Sequence, residues 1–268
     1  MTLWRTESCL RAAFKASNGP SGIPDGDSRP DCPTCQDGRV DDETDAAGRR
    51  IAHALRERII TGDIAMGDKL GERDVALQLG VSRVPVREAL QLLESEGFVS
   101  SSHRRAAIVH TFTLDDAVEL FDMRMQLEPF AASLAARNAA AGADTTHLVA
   151  ALEVAHVAHD EDAPASTRNS DLHEEIFALA GHRLLLRMSG QLTGRTRWLF
   201  RLTPERDTER RWDEHDEIVE AILGGHADLA FALAAAHVER GRVESMPRLA
   251  ERLPAEPVRR RRRGASKG

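Results

Sequence analysis

Apolar residues recur at helical spacing through most of the chain, in two runs of different character. In the first, Ile51, Ala52, Leu55 and Ile59 mark a helix over residues 46–61 that stops at Gly62. Val75, Ala76 and Leu79 share one face of GERDVALQLG, a shorter helix with Gly80 just past its end. Val86, Ala89, Leu90 and Leu93 form the buried stripe of a third helix, which begins near Arg83 and ends at Gly97. Ser82 is a good N-cap for it, and Pro85 falls in the first turn, where a missing N–H is not felt. Two helices joined only by Gly80, Val81 and Ser82 predict a helix-turn-helix. FVSSSHRRAAIVHTF follows, with strand-like ends around a polar, basic middle, and predicts a hairpin wing.

From residue 111 the pattern changes to long Ala- and Leu-rich helical stretches with no convincing strand. Residues 114–139 read as one helix of five or six turns, with Ala117, Leu120, Phe121, Met125 and Leu127 as buried positions. Residues 146–160, with Leu148, Leu152 and Ala155, make a second, and four further segments beginning near 169, 184, 210 and 227 complete about six. Gly181, Gly224 and Gly225 mark ends. The fold class expected is mainly α: a winged helix-turn-helix with a small β wing over 46–110, then an all-α helical bundle over 111–250. Residues 1–45 are rich in Gly, Pro, Asp and Ser and are expected to be mostly disordered, as is the basic tail 251–268 with its arginine run 259–263.

Length fits this division, since 268 residues at 41% hydrophobic content can build two cores. No run approaches the roughly 18 apolar residues of a membrane span. Three cysteines, an odd number, argue for a reducing compartment, so a cytoplasmic protein is expected. Cys32 and Cys35 form a CxxC without a second pair, which reads as incidental rather than as a zinc knuckle. Between residues 46 and 110 there are ten basic and eight acidic residues, so no domain-wide basic patch exists. The positive charge is instead placed. Arg83 and Arg87, four apart, share a helix face near the positive end of the dipole, and Arg104 and Arg105 lie on the wing. Such guanidiniums can meet a phosphate or a guanine edge, which suits specific binding to double-stranded DNA rather than bulk coating. Residues 111–258 carry 15 bases against 26 acids and would repel DNA.

The stretch ALRERIITGDIAMGDKLGERDVALQLGVSRVPVREALQLLESEGFV resembles the DNA-binding domain of GntR-family bacterial transcription regulators across about the whole of that domain. The resemblance implies that Arg73, Arg83 and Arg87 contact DNA, with Ser82 and Pro85 shaping the start of the recognition helix, and that the wing tip enters the minor groove. Gly71 stands where the family usually has a capping Ser, and Ala106 where a wing glycine is usual.

Among the eleven histidines, three stand on separate helices of the bundle. His173 has Asn169 four residues before it on the same face, His215 sits in WDEHDEIVEAI, and His237 is surrounded by Ala and Leu and so points inward. Three converging neutral imidazoles would make a facial site for Zn²⁺ or a similar divalent ion with open positions. By spacing alone, each could equally be an ordinary histidine satisfied by a carboxylate or carbonyl. An open three-histidine site also describes catalytic zinc, although no Asp or Glu is placed as an obvious general base, and a ligand-free architectural DNA-binding protein would need none of them. Residues 111 to about 245 further resemble the FCD effector domain of the FadR subfamily. That resemblance implies metal ligands at Asn169, His173, His215 and His237, with Asn in place of the commoner Asp and metal affinity correspondingly lower. It also implies a small carboxylate or sugar acid as effector, met by Arg124, with Arg195 and Arg197 as further candidates. The expected protein is a homodimeric, ligand-responsive regulator and no enzyme. It would act as a repressor on a palindromic operator with half-sites about 34 Å apart.

Overall fold

The computed structural model describes residues 37–100, 106–157, 165–203 and 208–254. Arg104, Arg105, the Cys32–Cys35 pair and the arginine run 259–263 lie outside the described residues. The chain forms two compact units, Met1–His110 and Thr111–Gly268.

In the first unit, α1 (Asp37–Thr61) packs on α3 (Arg83–Ser95), and α2 (Glu72–Leu79) packs on α3 as well. Ile51, Ala52, Leu55 and Ile59 of α1 meet Val86, Ala89 and Leu93 of α3 in the core, as their spacing requires. Helix α1 starts nine residues earlier than residue 46, inside the stretch expected to be unstructured. That start is unmarked in the sequence, since residues 37–45 include a single apolar residue and so show no helical period. Arg56 donates to both carboxylate oxygens of Glu96 at 2.6–2.8 Å and lies 5.9 Å from the Phe98 ring, which ties α1 to the end of α3.

Between α2 and α3 the chain turns through Gly80, whose φ of 68° is left-handed and whose N–H closes the helix on the Ala76 carbonyl. Ser82 holds the extended N-cap conformation, but its side chain makes no capping hydrogen bond. Gly71 likewise caps α2 without a side chain to offer. Strands β2 (Val99–Ser100) and β3 (Ala107–Val109) pair antiparallel at the base of the wing, with Val99 opposite Val109. A third strand, β1 (Lys69–Leu70), pairs with the other edge of β3, giving the order β1-β3-β2. Two residues are too few to carry a period of two, so β1 has no signature in the sequence.

The second unit is helical throughout its described residues: α4 (Leu114–Ala140), α5 (Thr146–Val157), α6 (Ala165–Leu179), α7 (Arg183–Arg201), α8 (Thr208–Leu223) and α9 (Ala227–Arg252). Helix α4 opens with a reciprocal capping box, in which Asp116 N–H donates to Thr113 Oγ1 at 3.1 Å and Thr113 N–H donates to Asp116 Oδ2 at 2.8 Å. It runs 27 residues, one past the expected span of 114–139 and so over seven turns rather than five or six, and Pro129 does not end it. The most extensive packing is between α4 and α9. Their buried positions are largely small: Ala117, Ala131, Ala132, Ala135 and Ala136 on α4, and Ala230, Ala234, Gly241 and Ser245 on α9. Met125 and Leu127, expected in the core, are only partly buried, and Arg124 and Glu128 take the inward positions instead.

Candidate functional site

Two constellations carry chemistry, one in each unit. In the first unit, Arg73, Ser82 and Arg83 line one surface cleft together with Ala76, Leu77, Gly80 and Val81. All three named first are exposed, and Pro85 is buried behind them. Arg83 is the first residue of α3, so its guanidinium stands at the positive end of the helix dipole. Arg87, one turn on, donates from Nε and Nη2 to the two carboxylate oxygens of Glu72 at 2.9 and 3.0 Å. That pairing lowers the Glu72 carboxyl below its usual range, chiefly through the hydrogen bond from Arg87, and raises Arg87.

In the second unit, α6, α8 and α9 bring His173, His215 and His237 together. All three are buried, and one ring nitrogen of each lies within 4.8 Å of the others. His237 Nδ1 sits 2.9 Å from Glu214 Oε2, and a carboxylate only accepts, so Nδ1 is the donor. His173 Nδ1 faces Glu128 Oε2 at 3.4 Å, and its Nε2 lies 3.3 Å from Nε2 of His215. His215 Nδ1 is buried with no hydrogen-bond partner. Burial, followed by the charges of His237, His173, Arg211 and Arg124, holds His215 well below the ordinary imidazole range, so it is neutral at pH 7. Three clustered imidazoles, two of them facing carboxylates through Nδ1, are a donor set that suits a divalent ion.

Asn169 is buried, its Oδ1 has no hydrogen-bond partner, and it lines a small cavity with Glu128, Ser170, His173, Thr193, Thr196 and Arg197. An orphaned carbonyl oxygen beside His173 fits a fourth ligand or a ligand-facing acceptor.

The three expected effector arginines are not brought together. Arg197 lines the cavity. Arg195, two residues earlier on α7 and so on another face, lies 3.8 Å from Asp116 and 5.4 Å from the Phe112 ring, away from the histidines. Arg124 is buried but faces Glu128 rather than open space, donating from Nε and Nη2 at 2.6 and 3.1 Å, with its guanidinium 4.9 Å from the Phe200 ring. Its Nη1 is buried without a hydrogen-bond partner, and its charge also acts on His215. Neither Glu128 nor Glu214 was expected at the site. Glu128 has a visible signal, a carboxylate four residues after Arg124 on an otherwise apolar face, whereas Glu214 has none, because it meets a histidine of another helix.

The comparisons with known proteins cover both units. Residues 47–109 match the gntR family of bacterial regulatory proteins, and residues 119–240 match the FCD domain. The chain is 30% identical over 195 residues to the gluconate operon transcriptional repressor of Bacillus licheniformis, spanning 69% of this chain and 79% of that one. The namesake in Bacillus subtilis is 41% identical over 85 residues, a match spanning only 35% of that relative's length. Among solved structures, a GntR regulator from Rhodococcus sp. RHA1 superposes with a TM-score of 0.63 at 24% identity, over 75% of this chain and 98% of the other. E. coli McbR/YncC does so at 0.64 and 21%, over 76% and 97%. These two speak for the fold alone. Among the described residues no helix is long and apolar enough to cross a membrane. The 30% identical relative, covered over 79% of its length, and the two matched domains show that the chain belongs to the GntR family of bacterial regulators and is a DNA-binding transcription regulator with an FCD domain, not an enzyme.

Proposed function

We propose that the chain acts as a homodimeric repressor that grips a palindromic operator with α3 and loosens that grip when its helical unit binds a small carboxylate. The observation that carries the ligand half is the buried histidine triad, of which His173 also lines a small cavity with Asn169 and Arg197 on its wall. On the DNA side, Arg73, Arg83 and Arg87 would contact the operator, with Arg104 and Arg105 on the wing. His173, His215 and His237, with Asn169, would hold a divalent ion, zinc first among candidates. When bound, such an ion supplies a positive seat for a carboxylate oxygen. Arg197 then offers a charged fork to the same ligand, Thr193, Thr196 and Ser170 offer hydroxyls, and Glu128 and Glu214 hold the imidazoles in register. A hydroxyl-rich wall suits a polyhydroxy acid, and the similarity to gluconate operon repressors makes aldonic acids the class to test first. The ligand shifts DNA affinity only by the difference in its affinity for the two arrangements of the regulator, typically about 1–3 kcal/mol.

Thermal unfolding tests this. A carboxylate at about 100 times its Kd stabilises by about 2.7 kcal/mol. Zinc-loaded protein with gluconate or a related acid should melt several degrees higher than chelated protein with the same acid, and His215→Ala should lose the difference. Absence of a shift with every acid of an aldonic and dicarboxylic panel sinks the effector assignment. Glu214→Ala removes the carboxylate that accepts the Nδ1 proton of His237. Zinc affinity, read by competition with a chromogenic chelator, should fall by about 10- to 100-fold, and an unchanged affinity would remove Glu214 from the site.

A further inference from the structure

Glu72 is a carboxylate on the surface that phosphate would approach. Glu72 opens α2, and it is bound across the helix-turn-helix to Arg87 of α3, fifteen residues on. We infer that Glu72 aims the guanidinium of Arg87 and sets how strictly the regulator chooses its operator over other DNA. This rests on the assignment of α3 as the helix that reads DNA.

A guanidinium carries five N–H groups in a rigid fork. Glu72 takes one from Nε and one from Nη2, so the hydrogens left over lie on the Nη1–Nη2 edge, which faces away from the carboxylate. That edge can give two parallel hydrogen bonds to O6 and N7 of a guanine, the commonest specific contact in the major groove. The bidentate pair prevents the side chain from sweeping between base edge and backbone, so the contact is prepared before DNA arrives. The second effect is electrostatic. A free arginine adds to sequence-blind attraction for phosphate, and one already matched by a carboxylate adds little. Glu72 also feels Arg83, so it sits between two of the arginines expected to touch DNA. The pair is largely open to solvent, the Arg87 side chain being 58% exposed and that of Glu72 35%. Surface pairs of this kind add little to stability, so the site can be altered without unfolding the domain.

The probe is the duplex that the full-length wild-type chain selects from a random pool. Base-substituted versions are compared to find the position at which Arg87→Ala abolishes discrimination. At that position Glu72→Gln should cut discrimination by about fivefold or more, the lower end of what one bidentate base contact supplies. It should also strengthen binding to unrelated DNA, with a log–log salt slope steeper by about 0.9 per protomer. Glu72→Asp keeps the charge but shortens the reach, so it should lose discrimination without steepening the slope. In an Arg87→Ala background neither change at position 72 should alter discrimination. Wild-type discrimination in Glu72→Gln, at a position where Arg87→Ala abolishes it, would overturn the inference alone. Should Arg87→Ala itself discriminate normally at every position, the reading of α3 falls and takes the role of Glu72 with it.

Discussion

Arg83→Ala should abolish operator binding while leaving the fold intact. The side chain is exposed at the first position of α3 and shares a cleft with Arg73, so its removal takes nothing from the core. The helix start is built by other residues, because Gly80 supplies the left-handed turn and Pro85 is the buried first-turn residue. A bidentate contact to a guanine edge discriminates by about 1–3 kcal/mol, and a twofold dimer loses it twice, which amounts to roughly 30-fold to more than 10⁴-fold. Titration of labelled operator at moderate salt measures this directly, beside a circular dichroism melt. A variant that still protects the operator at wild-type concentration removes Arg83 from the recognition surface. One that melts early shows a structural role instead.

The second large effect belongs to the bundle. Arg124→Ala strips the partner from Glu128, a carboxylate only 6% exposed, and leaves it beside His173. Breaking a buried ion pair from one side costs about 3–5 kcal/mol. At about 2–4 °C per kcal/mol for a domain of this size, the chelated protein should melt roughly 6–20 °C lower. Burial pushes the Glu128 carboxyl up, but the attraction of Arg124 and His173 outweighs it and holds the folded value below the ordinary carboxylate range. In the wild type the pair therefore stabilises at neutral pH and is lost as pH falls through that depressed value. Without Arg124, burial dominates and Glu128 is raised, so the penalty is present at pH 7 and shrinks as acid protonates the carboxyl. The gap between variant and wild type should narrow from pH 7 towards pH 5. Replacing both residues by apolar side chains of similar volume should restore most of the loss. A deficit under 2 °C at pH 7 would mean that water reaches Glu128.

What could be read beforehand follows the distance over which each feature is written. The helix-turn-helix is local: a glycine, a capping position and two apolar stripes within about twenty residues specify it, and α2 and α3 lie within a residue or two of their expected bounds. The wing base is nearly as local, since Val99 and Val109 are apolar ends of one hairpin. Strand β1 is too short to have a period, and the first turns of α1 carry no apolar stripe to mark them. At the histidine site the spacing places Asn169 and His173 on one face, but nothing periodic tells which of the other ten histidines will meet them. That came from the family resemblance. Helical geometry did contain the separation of Arg195 from Arg197, which two residues of rotation place on different faces. It also contained the Arg124–Glu128 pair, visible as opposite charges one turn apart. The link from Glu214 to His237 depends on how α8 lies against α9, which is a property of packing and not of either segment.

The alanine seam between α4 and α9 limits the substitutions this protein can accept. Elsewhere in the bundle the core is filled by Phe, Trp, Leu and Ile, and there truncation is the damaging change, since each lost methylene leaves a void. Along the seam there is little left to truncate. Ala131, Ala132, Ala135 and Ala136 are at most 1% exposed, and a larger residue at any of them must displace what is packed on α4, at a cost of about 1–3 kcal/mol for each overpacked site. Sequence drift in the domain thus meets two opposite walls, a floor on side-chain size around the aromatic residues and a ceiling along α4 and α9. Related chains that keep this helix pair should differ freely at Met123 and Val243, which are exposed on the same two helices, while holding the seam to Ala, Gly and Ser.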